Sequence, residues 1–267
     1  MKFVDLSIPI INADEAIFDP PLTAPKIEYT DHDTGATQMA FAFPKLKPEQ
    51  HLPDGKGWAV ENITISTHSG THMDSPWHFA PIQDKEIGQK KAMTIDEFPL
   101  EWGIGPLIVI DCTDFEEGYI MTPEDVDKKL DAINHKLQPG DIFCVHTNAP
   151  KYHGTPQYIN HGVGVGKAAT LHIIRQGVHV VGIDAWSWDA PFSITNAKWK
   201  KSVKAKNPDS SIIWEGHFAG IELGYFQMEK LTNLDKVPPV GATIYCFPVK
   251  IARASAGWMR AVATVPE

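Results

Sequence analysis

Pro106-Leu107-Ile108-Val109-Ile110-Asp111 is a continuous apolar run closed by an acid, the pattern of a strand covered on both faces. Two similar runs follow, from Asp141 to His146 and from His179 to Asp184. Between them the apolar positions change period. Val126, Leu130, Ile133 and Leu137 recur at helical spacing behind an N-cap at Thr122 and a proline at the first helical position, and Pro139-Gly140 ends the stretch. Lys167 to Gln176 predicts a second helix, with Gly177 just past its end. Strand, helix, strand, helix, strand predicts an α/β core with right-handed crossovers.

The flanking regions are less regular. Phe3 to Ile10 predicts a short first strand ending at Pro9. From Phe18 to Gly35 the chain is rich in proline and polar residues, so a long excursion is expected, either a lid or an arm packed on a neighbouring subunit. Ala40 to Phe43 and Trp58 to Thr67 are predicted as strands, the second with imperfect alternation. In the tail, Thr243 to Val249 and Met259 to Val265 are predicted as strands joined through Arg253 to Gly257, returning to the sheet near the N-terminal strands. With no internal repeat or low-complexity linker, residues 1–267 read as a single α/β domain with a mixed sheet and flanking helices.

The predicted strand from Trp58 to Thr67 leads into the densest chemistry of the chain. His68, His72, Asp74 and His78 fall within eleven residues, bracketed by the structure-breaking Gly70 and Pro76. All four have the same parity, so an extended ribbon would project them to one side. A continuous helix would turn Asp74 away from His68, and Ser69-Gly70-Thr71 and Ser75-Pro76 oppose one. A strand end running into a turn is expected. Two imidazoles and a carboxylate suit zinc, manganese or iron and leave coordination positions open. His68, His72 and Asp74 are the candidate ligands, and His78, just beyond them, is the candidate proton carrier. Hydrogen-bonding histidines in a tight loop are the plainer alternative, which suits one histidine better than a compact set of deprotonatable ligands.

Composition narrows the partners. With 43% apolar and 21% charged residues the chain has the make-up of a soluble globular protein, and a formal net charge of −9 gives no drive toward nucleic acid or anionic lipid. The first residues lack the apolar core of a secretion signal, and no apolar run approaches the roughly 20 residues that span a bilayer, so a cytoplasmic location is expected. Cys112, Cys144 and Cys246 sit singly in strand-like runs and are expected to be buried free thiols.

A second polar cluster comprises Trp214 to Gly220 and Met228 to Leu234. From the residues alone His217 is a lone imidazole, as readily structural as functional, and Glu229 reads as a solvated helix residue. Aromatic residues flank both clusters. Asp184 to Pro191 follows a strand end, where α/β sheets place functional loops, so Trp77, Phe79, Trp186 and Trp188 are candidate walls for a flat aromatic substrate. Lys198 to Lys206 reads as a solvated basic face.

His68-Ser-Gly-Thr-His72-Met-Asp74-Ser-Pro-Trp-His78 resembles the His-x-Gly-Thr-His-x-Asp-x-Pro-x-His signature of the cyclase family of metal-dependent hydrolases, which includes bacterial kynurenine formamidases and isatin hydrolases. Every fixed position is filled. Glu229 with Leu231, Asn233 and Leu234 resembles the family's Glu-x-Leu-x-Asn-Leu segment, and His217 lies twelve residues before it. The resemblance implies a swivelling β/β/α fold and a homodimer or homotetramer. In kynurenine-formamidase-like members, the residues matching His217 and Glu229 complete a second metal position bridged by the aspartate matching Asp74. In isatin-hydrolase-like members, a single manganese is held by the residues matching His68, His72 and Asp74, with the later histidine beside the substrate.

The tryptophan after Pro76, the Trp186/Trp188 pair and the long N-terminal excursion look like the isatin hydrolase branch. That branch implies Mn2+, alternatively Zn2+, and hydrolysis of an amide C–N bond in a small cyclic or aromatic substrate by metal-activated water. His78 would move the proton and His217 would steady developing charge. Hydrolysis of N-formylkynurenine, or of a lactone or imide, is the alternative within the family. Outside it stand a non-catalytic metal-binding protein and an iron(II) oxygenase, whose usual order of ligands departs from His-x3-His-x-Asp.

Overall fold

The computed structural model describes residues 1–266. The main sheet is built from nine strands: Lys2–Asp5 (β1), His72–Asp74 (β2), Ile104–Asp111 (β3), Ile142–His146 (β4), Val180–Ile183 (β5), Phe226–Glu229 (β6), Ala242–Tyr245 (β7), Ala256–Trp258 (β8) and Val262–Val265 (β9). Their spatial order is β1-β9-β7-β3-β4-β5-β6-β2-β8. β3 to β6 run parallel, and every other pairing is antiparallel.

The apolar runs became the parallel centre of this sheet. In β3, Leu107 and Val109 face one core while Ile108 and Ile110 face the other, so neither parity could be polar. The longer helices are His32–Ala42 (α1), Pro123–Ala132 (α2), Lys167–Ile174 (α3), Phe192–Lys204 (α4) and Glu215–Glu222 (α5). Val126 and Leu130 of α2, Ala169 and Ile173 of α3 and Ala219 of α5 pack over one face of the sheet. Thr122 caps α2 and shares a capping box with Asp125. On the other face the sheet closes on itself around Val4, Met73, Leu107, Cys144, Met228 and Ile244.

Chain connectivity forces that closure. β8 and β9 are separated by only Met259, Arg260 and Ala261, yet seven strand spacings lie between them in the sheet. A flat sheet would set them about 34 Å apart at about 4.8 Å per strand, whereas three residues reach about 10–14 Å. The sheet therefore curls until its two ends meet. Thr232 N–H donates to the Leu6 carbonyl at 2.9 Å and Ile8 N–H to Thr71 Oγ1 at 2.9 Å across that seam. A curled mixed sheet with flanking helices is the α/β architecture that the motif implied.

Three local expectations are corrected. Ala40 to Phe43 is the end of α1 and not a strand, because Asp31 caps that helix by accepting from Thr34 N–H at 2.8 Å, and Phe41 is exposed with no sheet edge to join. Val60–Thr64 is a strand, but it pairs with Lys26–Thr30 in a separate two-stranded ribbon and not with the main sheet. In the tail β7 pairs with β9 as expected, but Ala256–Trp258 forms an extra strand that crosses to β2. Helices α4 and α5 were not read from the sequence. The basic run does lie on α4, none of whose residues is buried. All three cysteines are buried and free, and burial pushes the Cys246 thiol up to about 12. No helix among the described residues is long and apolar enough to cross a membrane.

Candidate metal centre

β2 carries His72 and Asp74 two residues apart, on one face of the sheet. Antiparallel β6 sets Glu229 opposite His72 and Gln227 opposite Asp74, so four polar side chains share a single patch. Gly70, at φ +64°, makes the turn that folds His68 back toward β2. His78 lies on the helical turn Pro76–Phe79, which begins at the proline expected to break the strand. His217 comes from the first turn of α5.

The resulting distances are short. Asp74 Oδ1 lies 2.8 Å from His68 Nδ1 and 3.2 Å from His72 Nε2, while Asp74 Oδ2 lies 3.9 Å from His78 Nε2 and 3.8 Å from His217 Nε2. Glu229 adds an oxygen 3.6 Å from His72 Nε2 and another 3.5 Å from His217 Nε2. Two triads of donor atoms, each within 4.8 Å, share Asp74: His68, Asp74 and His78 in one, His72, Asp74 and Glu229 in the other. All the residues expected at the metal, and His78 with them, are brought together.

The tautomer of His72 tests whether a cation fits. Its Nδ1 donates to the Gly70 carbonyl at 2.9 Å, so Nε2 carries a lone pair. That lone pair faces the carboxylate oxygens of Asp74 and Glu229, and His72 Nε2 is buried without a hydrogen-bond partner. Acceptor against acceptor in a buried site is unfavourable unless a cation lies between them. The donor set fits a divalent ion of the zinc, manganese or iron type.

Electrostatics agree with this reading. Burial works against ionisation of Asp74, yet the surrounding imidazoles hold its carboxyl well below the usual carboxylate range. Glu229 is pushed up by burial and by the charge of Asp74. Burial pushes His78 down to about 3, leaving a neutral base. His217 is raised despite its burial, because Asp189 hydrogen-bonds it and Asp189, Glu229 and Asp74 add negative charge.

The aromatic walls are redistributed. Trp188 is fully buried, with its indole N–H donating to Thr170 Oγ1 at 3.0 Å, and it offers no face to a substrate. Its backbone N–H instead donates to Glu229 Oε1 at 3.0 Å. Phe79 is also core, wedged between His217 and Tyr225. Both were expected as walls, but Phe79 at the end of its helical turn and Trp188 in the loop after β5 pack into the core beneath the helices. Trp77 is exposed beneath Lys91, and Trp186 packs edge-on against Phe192. The ring that does meet the site is Trp214, stacked on His217 at 4.3 Å and edge-on to His78 at 5.0 Å.

Two residues had no sequence signal of their own. Asp189 accepts from Gly216 N–H and His217 N–H at the start of α5 and from His217 Nδ1 at 2.5 Å, which fixes the ring with Nε2 turned toward Asp74 and Glu229. The Gln227 amide donates to Glu229 Oε1 at 2.8 Å and lies 3.0 Å from His217 Nε2. Only the even spacing of Gln227 from Glu229 on a strand could have placed it on the same face.

Fold and site together define an α/β protein with a candidate metal centre on a curled sheet. The family model described as "Putative cyclase" matches residues 4–190, and the chain belongs to this Cyclase family. The matched region contains His68 to His78 and stops short of His217 and Glu229. Among curated proteins, an isatin hydrolase of Roseibium aggregatum is 25% identical over 228 residues, covering 83% of this chain and 80% of that protein. Among solved structures, isatin hydrolase A from Labrenzia aggregata bound to benzyl benzoate superposes with a TM-score of 0.71 at 22% identity, covering all of this chain and 94% of that one. A potential metal-dependent hydrolase with cyclase activity superposes at 0.64 with 18% identity, covering 100% and 98%. These matches agree with the isatin hydrolase branch read from the motif.

Proposed function

We propose that this chain is a metal-dependent hydrolase that cleaves an amide C–N bond in a small cyclic or aromatic substrate, in the manner of isatin opening to isatinate. The observation that carries this reading is the buried, unpartnered His72 Nε2 facing Asp74 Oδ1 inside a ring of three further imidazoles and Glu229. His68, His72 and Asp74 would hold the cation, Mn2+ or alternatively Zn2+. Such a cation supplies Lewis acidity, polarising a carbonyl and lowering the pKa of water to roughly 7.

The chain's own residues account for the rest. His78, with its side chain 23% exposed, reaches the mouth of the site beside Asp74, where it would take and return a proton. His217, held by Asp189, presents a fixed Nε2 toward the same space and steadies charge there. The Trp214 ring covers both imidazoles and offers a flat apolar face to an aromatic substrate. We place the chain in a homodimer or homotetramer, a reading supported by the exposed Tyr29, Phe41 and Ile63 on and beside the two-stranded ribbon.

The test is to strip the protein of metal, restore Mn2+ or Zn2+, and follow isatin by its loss of visible absorbance. Cation-dependent turnover is expected, and none with either metal would overturn the cyclic-amide assignment. One observation favours a second reading within the family, hydrolysis of N-formylkynurenine. Glu229 completes a second donor triad with His72 and Asp74, as two-cation members require. Glu229→Gln would then lower the bound metal from two equivalents to one, measured by elemental analysis of the loaded protein.

A further inference from the structure

Directly after Glu229 comes a lysine that the proposed mechanism does not use. Lys230 is 1% exposed and adopts φ +58°, a left-handed conformation unusual for a long side chain. Its N–H donates to the Ala185 carbonyl at 3.0 Å, and its own carbonyl accepts from Thr71 Oγ1 at 2.6 Å. The chain is thus pinned on both sides of the residue. Its ammonium is directed into the protein, against Asp19, itself 4% exposed and 211 positions away in sequence.

The partners of this ion pair are the backbone of the ligand turn. Lys230 Nζ also donates to the His68 carbonyl at 2.6 Å, and Asp19 Oδ2 accepts from Gly70 N–H at 3.1 Å. Ser69 Oγ donates to the Thr23 carbonyl. The ammonium lies 5.2 Å from the centre of the Trp186 ring. Three consecutive residues of the turn between His68 and His72 are therefore tied to the N-terminal excursion, two of them through this one pair. A buried ion pair is poor evidence of stabilisation, since removing the charges from water offsets their attraction. Holding a geometry is a different matter, because a ligand set must be kept within fractions of an ångström.

We propose that Lys230 and Asp19 are positioning residues of the metal centre: their pair clamps the backbone at His68 and Gly70, so that cation affinity depends on the N-terminal excursion being seated. This rests on the hydrolase reading above. It also gives that excursion a task within its own chain.

The test compares Mn2+ affinity, by calorimetry on stripped protein, between wild type and the double variant Asp19→Leu/Lys230→Met, which leaves neither charge buried alone. Both are measured well below their melting temperatures. A loss of tenfold or more in affinity by a folded double variant is expected, and wild-type affinity in that variant overturns the clamp while leaving the hydrolase reading intact. Hydrogen exchange of residues 17–25 in the unaltered protein gives a second readout. Slower exchange on adding Mn2+ is expected, and unchanged exchange overturns the proposal even if the double variant does not fold. A wild-type chain that takes up neither Mn2+ nor Zn2+ overturns both readings together.

Discussion

His72 Nε2 and Asp74 Oδ1 face each other at 3.2 Å, both buried, and His72 Nε2 has no hydrogen-bond partner. Because His72 Nδ1 donates to the Gly70 carbonyl, the atom turned toward the carboxylate is a lone pair. Each unmet buried polar group costs about 1–3 kcal/mol. Chelation should therefore lower the melting temperature, and Mn2+ at a hundredfold excess over its Kd should restore about 2.7 kcal/mol. A thermal melt with and without chelator checks this, and identical curves would count against a cation at this pair.

His72→Ala should abolish metal retention and activity together. The lost imidazole is common to the ligand set expected from the motif and to the triad with Glu229. Full activity of this variant after chelation would sink the mechanism.

Asp189 acts on the site only through His217, whose ring it orients through Nδ1. Asp189→Asn should lower kcat by about 10–100-fold, as loss of a carboxylate partner behind a site histidine does. The weaker cap on α5 should cost only about 1 kcal/mol. Kinetics and melting measured on one preparation separate the two effects, and an unchanged kcat would make Asp189 a helix cap alone.

Trp214 stacks on His217 from a backbone at φ +55°, a conformation that costs on the order of 1 kcal/mol or more in a bulky residue. Trp214→Gly removes that cost and the aromatic face together. Melting should change by only a few degrees, while KM for an aromatic amide should rise about fivefold, equivalent to about 1 kcal/mol of lost stacking. An unchanged KM would remove Trp214 from the substrate wall.

His153, packed edge-on against Phe18 and Tyr158, is pushed down to about 4 by burial. The unfolded chain, titrating near about 6.5, takes up the proton first. The contribution of this site to stability is therefore intact above about pH 6.5 and is lost as pH falls toward 4. His153→Phe should flatten part of that acid limb. Urea midpoints at pH 7.5 and pH 4.5 for the two proteins check the sign, and a parallel loss in both would refute it.

Much of this was legible in the chain itself. Leu107 to Ile110, with apolar residues at both parities, could only be a strand buried on two faces, and Thr122-Pro123 could only open a helix. His68 to His78 announced a candidate metal centre because its candidate ligands are close in sequence and its breakers are where a turn must fall. Such signals are local, and local chemistry survives any fold. Tertiary structure decided what depends on distant partners. It turned Trp188 and Phe79 into the core, placed Asp189 behind His217, set Gln227 between Glu229 and Asp74, and brought Asp19 to Lys230 across 211 positions. It also made Ala40 to Ala42 the end of a helix, which starts upstream at the Asp31 cap. Single residues cannot report a neighbour that arrives only when a sheet curls through seven strand spacings to meet its own end.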